Sequence, residues 1–231
     1  MQVKKLEYYI DQFKQFLKKD RDFREIHKWE SLFHFQENWD IDAPDFGAMY
    51  DHSLQNNTTK RLWKREAWTP KAMMLNFCKM QPEFVRKMFK DLFEESKSVE
   101  TRISLFKFCC DELLKEYKMQ HKTSIENNHY HDDFQMIMLY LTFKFPEKYT
   151  LFDYPSFSKT MKLLGSMDVP GPFDIERFLK LSKVLNTFLQ KNKELIELKS
   201  NRLKINKLSS SVGSLLVHDF YTYCSKNPID S

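Results

Sequence analysis

Apolar residues recur along most of this chain at helical spacing. Leu6, Tyr9, Ile10, Phe13 and Leu17 fall at i, i+3, i+4, i+7 and i+11, with Lys4, Lys5, Lys14 and Lys18 largely elsewhere, which predicts an amphipathic helix over 3–19. A second helix is expected over 24–38, carrying Ile26, Trp29, Leu32 and Phe33. The segment WDIDAPDF then breaks the pattern, and Asp42 is placed to cap a helix bearing Phe46, Met49, Tyr50 and Leu54. Thr69 followed by Pro70 reads as an N-cap with proline in the first turn, starting a helix with Met73, Met74, Phe77 and Cys78. Pro82 restarts a helix through Val85, Met88, Phe89 and Leu92, and Ser96 or Ser98 can cap a long one through Ile103, Phe106, Cys110 and Tyr117.

Downstream, Phe134, Ile137, Met138, Leu141 and Phe145 share one helical face that Pro146 stops. The short EKYTLFDY piece reads as a turn or a brief strand pair near 148–154. Pro155 opens a helix to about residue 164, GSMDVPGPFD is the strongest linker signal, one helix is expected over 175–198, and a last apolar segment follows Ser214. The expectation is therefore an all-α or mainly α fold: a single irregular multi-helix domain over 1–231, with a sub-domain boundary at 165–173.

Composition agrees. Four Gly and eight Pro against 21 Phe and 11 Met leave too few turn residues for a sandwich or barrel. Cys78, Cys109, Cys110 and Cys224 sit in or beside apolar runs without CxxC spacing, as small core residues of a reducing compartment do. No signal-peptide core and no long uncharged apolar window occurs, so a cytoplasmic location and no membrane are expected. The net charge of +5 is mild, but residues 60–90 and 177–207 each hold nine Lys or Arg and two acids. Those two regions are candidates for a polyanion surface.

Three constellations carry candidate chemistry. His129, His131, Asp132 and Asp133 are residue types that ligate zinc or another divalent ion, although His and Asp just before a helix are also what a capping segment looks like. In KRLWKREAW, Lys60, Arg61, Lys64 and Arg65 alternate with Trp63 and Trp68; on a helix 61, 64, 65 and 68 share a face, suited to phosphates with an indole stacking on a base. The aromatic residues Trp29, Phe33 and Trp39 could wall a pocket for a flipped base, or simply form a core stripe. No phosphate-binding loop, GxGxxG, GxSxG or HExxH motif occurs, so no catalysis and no cofactor are expected.

Four segments taken together, KWESLFHFQENWDID (28–42), PEFVRKMFKDLFEESKSVETRI (82–103), NNHYHDDFQMIMLYLTFKFPEKYTLFDYPSFSK (127–159) and LSSSVGSLLVHDFYTY (208–223), resemble the N-terminal region of McrB-type AAA+ restriction proteins of the Bacteroides kind. The resemblance covers most of 28–223. It implies a non-catalytic targeting domain of a modification-dependent restriction or defence system, contacting double-stranded or modified DNA and working with an AAA+ motor and a nuclease subunit. No Walker motif lies within the chain, so motor activity does not carry over, and a separately expressed fragment or a stand-alone relative is expected. A different class of function, a domain that recognises a protein partner and no nucleic acid, fits the same composition; an exposed apolar patch would favour it.

Overall fold

In a computed structural model, which describes residues 1–19, 25–54, 70–122, 126–208 and 211–228, the apolar stripes form eleven α-helices. No strand occurs among the described residues, and none of the helices there is long and apolar enough to cross a membrane. The helices are α1 (Val3–Lys18), α2 (Ile26–Asn38), α3 (Phe46–Ser53), α4 (Pro70–Met80), α5 (Pro82–Phe93), α6 (Val99–Gln120), α7 (Gln135–Lys144), α8 (Tyr154–Leu163), α9 (Ile175–Lys191), α10 (Lys193–Ile205) and α11 (Leu215–Lys226).

Helix starts follow capping chemistry. Ser98 accepts from the Thr101 N–H as expected, whereas α3 is capped by Asp45, which accepts from the Ala48 N–H, and Asp42 instead pairs with Lys90. The single helix expected over 175–198 is two helices. Asn192 closes α9 and its side chain accepts from the Leu195 N–H, so it opens α10, a break made without Gly or Pro.

The chain divides into two units, Met1–Trp29 with Phe145–Ser231, and Glu30–Lys144; the division falls inside α2. In the first unit α11 packs on α8 and α9, and α1 packs on α10 and α11, burying Phe13, Phe157, Phe178, Leu189, Phe220 and Tyr221. The loop at 165–173 joins two helices of this same unit. Gly165, at φ +64°, ends α8 with both bonds of a Schellman motif: its N–H donates to Lys162 O, and the Ser166 N–H donates to Met161 O.

The strand pair expected near 148–154 does not form. Phe145 O accepts from the Lys148 and Tyr149 amides in a turn, and the Tyr221 hydroxyl then donates to Leu151 O and accepts from the Asp153 N–H. One side chain thus satisfies backbone groups that a neighbouring strand would otherwise take. Gly213 is required beside this connector, because a Cβ there would lie 2.5 Å from Pro146 O, the acceptor of the Ser214 N–H.

In the second unit α4, α5 and α6 pack on one another, with α3 on α4 and α5, and α7 on α5. Its centre is Phe89, fully buried, with the rings of Trp39, Phe46, Tyr50, Phe93, Phe106 and Tyr140 at 4.9–5.9 Å.

Candidate functional site

His129 and His131 lie in an ordered turn ahead of α7, where Tyr130 and Phe134 adopt left-handed backbone at φ +62° and +65°. Such conformations cost about 1–3 kcal/mol each and persist where neighbours fix them. Here Glu126 accepts from the Asn127 and Asn128 amides, and Asp133, not Asp132, accepts from the Gln135 N–H at the helix start. Cys110, His129 and His131 bring one ligand atom each within 4.8 Å of one another, as do Asp111, His129 and Asp132.

The hydrogen-bond directions oppose a metal at either set. The His131 N–H donates to His129 Nδ1, so the His129 proton sits on Nε2, facing Asp111 at 3.2 Å and Asp132 at 3.7 Å. His129 O accepts from His131 Nδ1, leaving His131 Nε2 to accept from the Tyr140 hydroxyl at 3.2 Å, which in turn meets the Tyr50 hydroxyl at 2.7 Å. Burial pushes the Cys110 thiol well above its ordinary range. His129 Nδ1 and His131 Nε2 already accept hydrogen bonds and His129 Nε2 carries a proton, and Asp111, His129, His131 and Tyr140 together act as a polar brace between α6 and α7.

Trp29 and Trp39 have separate surroundings. Trp39 is half-buried, stacked on Phe35 at 4.7 Å, edge-on to Phe46 and tilted against Phe89 at 5.2 Å in the second unit, so its ring faces are taken by other rings. Phe33 is half-buried on α2. Trp29, in the first unit, is buried and donates from Nε1 to Asp219 Oδ2 at 2.8 Å. Neither indole offers a free face for a flipped base. Lys60, Arg61, Trp63, Lys64, Arg65 and Trp68, with the Thr69 cap, lie outside the described residues.

Around Asp219 lies a charged cluster that sequence reasoning missed. Lys28 and Lys199, both buried, hold its two oxygens at 2.8 and 2.9 Å; Lys28 also pairs with Glu25 at 2.7 Å and lies 2.9 Å from His218 Nδ1. Lys199 sits over the Trp29 ring at 5.1 Å. Burial pushes the Asp219 carboxyl up, but Lys199 and Lys28 outweigh it and hold the group far below its usual range. For Lys28 burial acts downward, and Asp219 and Glu25 outweigh it, so it is raised and stays charged. A sequence signal did exist: Lys199 lies midway between Leu195 and Leu203 in an apolar stripe, and Asp219 follows Leu215 at i+4.

His218 is held neutral, its pKa well below 6.5, first by burial and then by the Lys28 charge. The unfolded chain takes up this proton more readily than the folded one, so its contribution to stability is present above 6.5 and lost as pH falls below it. Unfolding free energy is therefore expected to drop below pH 6.5 with a share of up to about 1.4 kcal/mol per pH unit from this one site. Urea titrations at pH 7.5 and 5.5 check this: His218→Gln should flatten the dependence by that share, and an unchanged slope would refute it.

The clearest surface for a charged ligand is the outer face of α9. Asp174 caps the helix, and Ile175, Phe178, Ser182, Leu185 and Leu189 bury one side. The opposite side exposes Lys180, Lys183 and Lys191, with Val184 and Phe188 between them. Arg177 is neutralised by Asp168 and Asp174, at 2.9 and 3.5 Å, but the three lysines engage no carboxylate among the described residues. Eleven residues of helix separate Lys180 from Lys191, about 16 Å, comparable to roughly five phosphates of one DNA strand.

The second unit has a different kind of surface, an open groove lined by Phe84, Leu113 and Met119 with Glu112, Lys115 and Glu116. Leu105 and Phe108, also exposed, continue the same face of α6. Comparison with protein-family models, curated proteins and solved structures finds no match.

Proposed function

We propose that this chain is a non-catalytic, DNA-contacting targeting domain of a McrB-like restriction or defence system, acting in the cytoplasm beside an AAA+ motor and a nuclease subunit. The observation that carries the DNA contact is the α9 face, where three exposed lysines that engage no carboxylate among the described residues alternate with an exposed aromatic ring. Phosphates would meet Lys180, Lys183 and Lys191, and Phe188 would stack on a sugar or base. Lys60, Arg61, Lys64 and Arg65, with Trp63 or Trp68, belong to the same reading as a second contact. The system assignment rests on the four resembling segments. The cytoplasmic assignment draws on four unpaired cysteines, three of them buried.

Three phosphate contacts give a slope of log affinity against log salt of about −2.7. A fluorescence titration with unmodified, methylated and single-stranded DNA at several salt concentrations checks the reading. Changing Lys180, Lys183 and Lys191 together to Ala should lower affinity at least tenfold at low salt and flatten the slope by about 2 to 3. A preference among the three DNAs would report base reading as well. Absence of salt-sensitive binding at micromolar protein would sink the proposal. Recognition of a protein partner would then be the stronger reading, and the observation favouring it is the groove of Phe84 and Met119 with the exposed Leu105 and Phe108 beside it.

A further inference from the structure

The long helix α6 carries two stripes on opposite sides. Ile103, Phe106, Cys110, Leu113 and Tyr117 are buried in the second unit. Leu105, Phe108, Glu112, Lys115 and Met119 lie about 200° away around the helix and are all exposed. Their spacing of three, four, three and four residues is that of a coiled-coil seam, whose side chains meet a second helix. Single exposed apolar residues are ordinary, but Phe108 and Met119 are 59% and 68% exposed on one line, and Phe84 of α5 stands beside Met119 across the open groove.

Charge on this stripe selects its occupant. Glu112 and Lys115 stand at its middle, with Leu105 and Phe108 on one side and Met119 on the other. Within one chain they form an i, i+3 pair that is largely exposed and contributes little in water. A second α6 laid antiparallel along the stripe, about a two-fold axis, sets Glu112 of each copy against Lys115 of the other. The same register sets Phe108 of each copy against Met119 of the other, in the groove beside Phe84. The charged pairs then close into a ring of alternating sign with an apolar layer at either end.

Other arrangements lose this match. Parallel pairing sets Glu112 on Glu112 and Lys115 on Lys115, and sliding the antiparallel pair by one step of the stripe sets Glu112 on Glu112 and Phe108 on Lys115. The face is therefore complementary to its own reverse, which is what a two-fold interface requires. The lysines of α9 in another copy could also meet Glu112, but a contact between α9 and α6 is head-to-tail and grows into chains or rings rather than closing as a pair.

We propose that the exposed face of α6 is a self-association surface, on which two copies of this chain pair antiparallel through Phe108, Glu112, Lys115 and Met119. The paired stretch from Phe108 to Met119 is only about 16 Å long, so a weak dimer with a Kd of roughly 100 μM is expected. At the low micromolar concentrations of a denaturation experiment the chain is monomeric. Pairing needs no nucleic acid, so it stands or falls separately from the α9 contact.

Sedimentation equilibrium on the full chain without DNA, from about 10 μM to about 1 mM, tests this. Wild type should pass from monomer to dimer and no further. Glu112→Lys and Lys115→Glu lie at exposed positions and should keep the helical circular dichroism, yet each alone presents two like charges to its copy and should weaken the dimer at least tenfold. Mixing the two variants in equal amounts, or combining both changes in one chain, restores opposite charges across the axis and should return Kd to within about threefold of wild type. Phe108→Ser should weaken pairing about tenfold with the monomer still folded. Charge reversal has no such rescue if the face is merely solvated or if copies meet elsewhere. A chain that is monomeric at 1 mM, a dimer indifferent to Glu112→Lys, species larger than a dimer, or no recovery on mixing would each overturn the proposal.

Discussion

Changing Asp219 to Ala is expected to cost about 3–5 kcal/mol of stability, because it removes the carboxylate that two buried ammonium groups, Lys28 and Lys199, lie against. Trp29 Nε1 would lose its acceptor in the same step. A structural ion cluster and a merely crowded one are told apart by what restores the loss. Replacing Asp219 with Leu and Lys199 with Met together removes one charge of each sign and leaves Lys28 paired with Glu25. That double variant should recover most of the deficit, since apolar residues of similar volume often replace a buried ion pair at little cost. Urea denaturation of wild type, both single variants and the double variant forms the cycle. If Asp219→Ala costs under 1 kcal/mol, the carboxylate does not hold the cluster together.

The second large effect is expected at the centre of the other unit. Phe89→Ala should cost about 3–5 kcal/mol, since the ring is fully buried and touched on every side by other rings that cannot collapse onto an alanine. Phe108 is the internal comparison, an aromatic residue in the same unit that is 59% exposed on α6. Phe108→Ala should fall within about 0.5 kcal/mol of wild type. Equal effects at the two positions would mean that the aromatic centre is not what stabilises this unit.

These contrasts show what the chain made legible. Helices with one-sided stripes, such as α1 and α5, were plain in the periodicity, because burying one face is enough to specify them. The break at Asn192 was not, since its cue is a side-chain cap and the flanking residues, Lys191 and Lys193, fit a helix equally well. A sub-domain boundary at 165–173 is what the local loop chemistry of GSMDVPGPFD suggests. That chemistry is real, a Schellman ending at Gly165, but a loop signal does not say whether the helices on either side share a core.

The site residues divide along the same line. The basic stretch over 177–207 was visible as a charge count, and the fold sorted it: Lys199 went inside, Arg177 was neutralised, and Lys180, Lys183 and Lys191 remained outside. His129 and His131 were visible as ligand types, but the meaning of their nitrogens depends on Tyr140, Asp111 and each other's backbone. The Asp219 cluster joins residues about 190 positions apart, and no local pattern reports a pairing of that range.

One unit here is interrupted in sequence by the whole of the other. The helix α1, with Leu6, Tyr9, Ile10, Phe13 and Leu17 on its apolar side, packs chiefly, among the described residues, on α10 and α11, which begin at Lys193 and Leu215. At about 5–20 residues per second, a ribosome delivers those partners roughly 10–40 s after α1 has emerged. Residues 30–144 form a contiguous stretch and can collapse during that interval, so synthesis orders assembly, with the inserted unit first and the interrupted one last. The nascent chain thus carries an unshielded greasy helix for tens of seconds, and its yield in a cell should depend on whichever chaperone covers it.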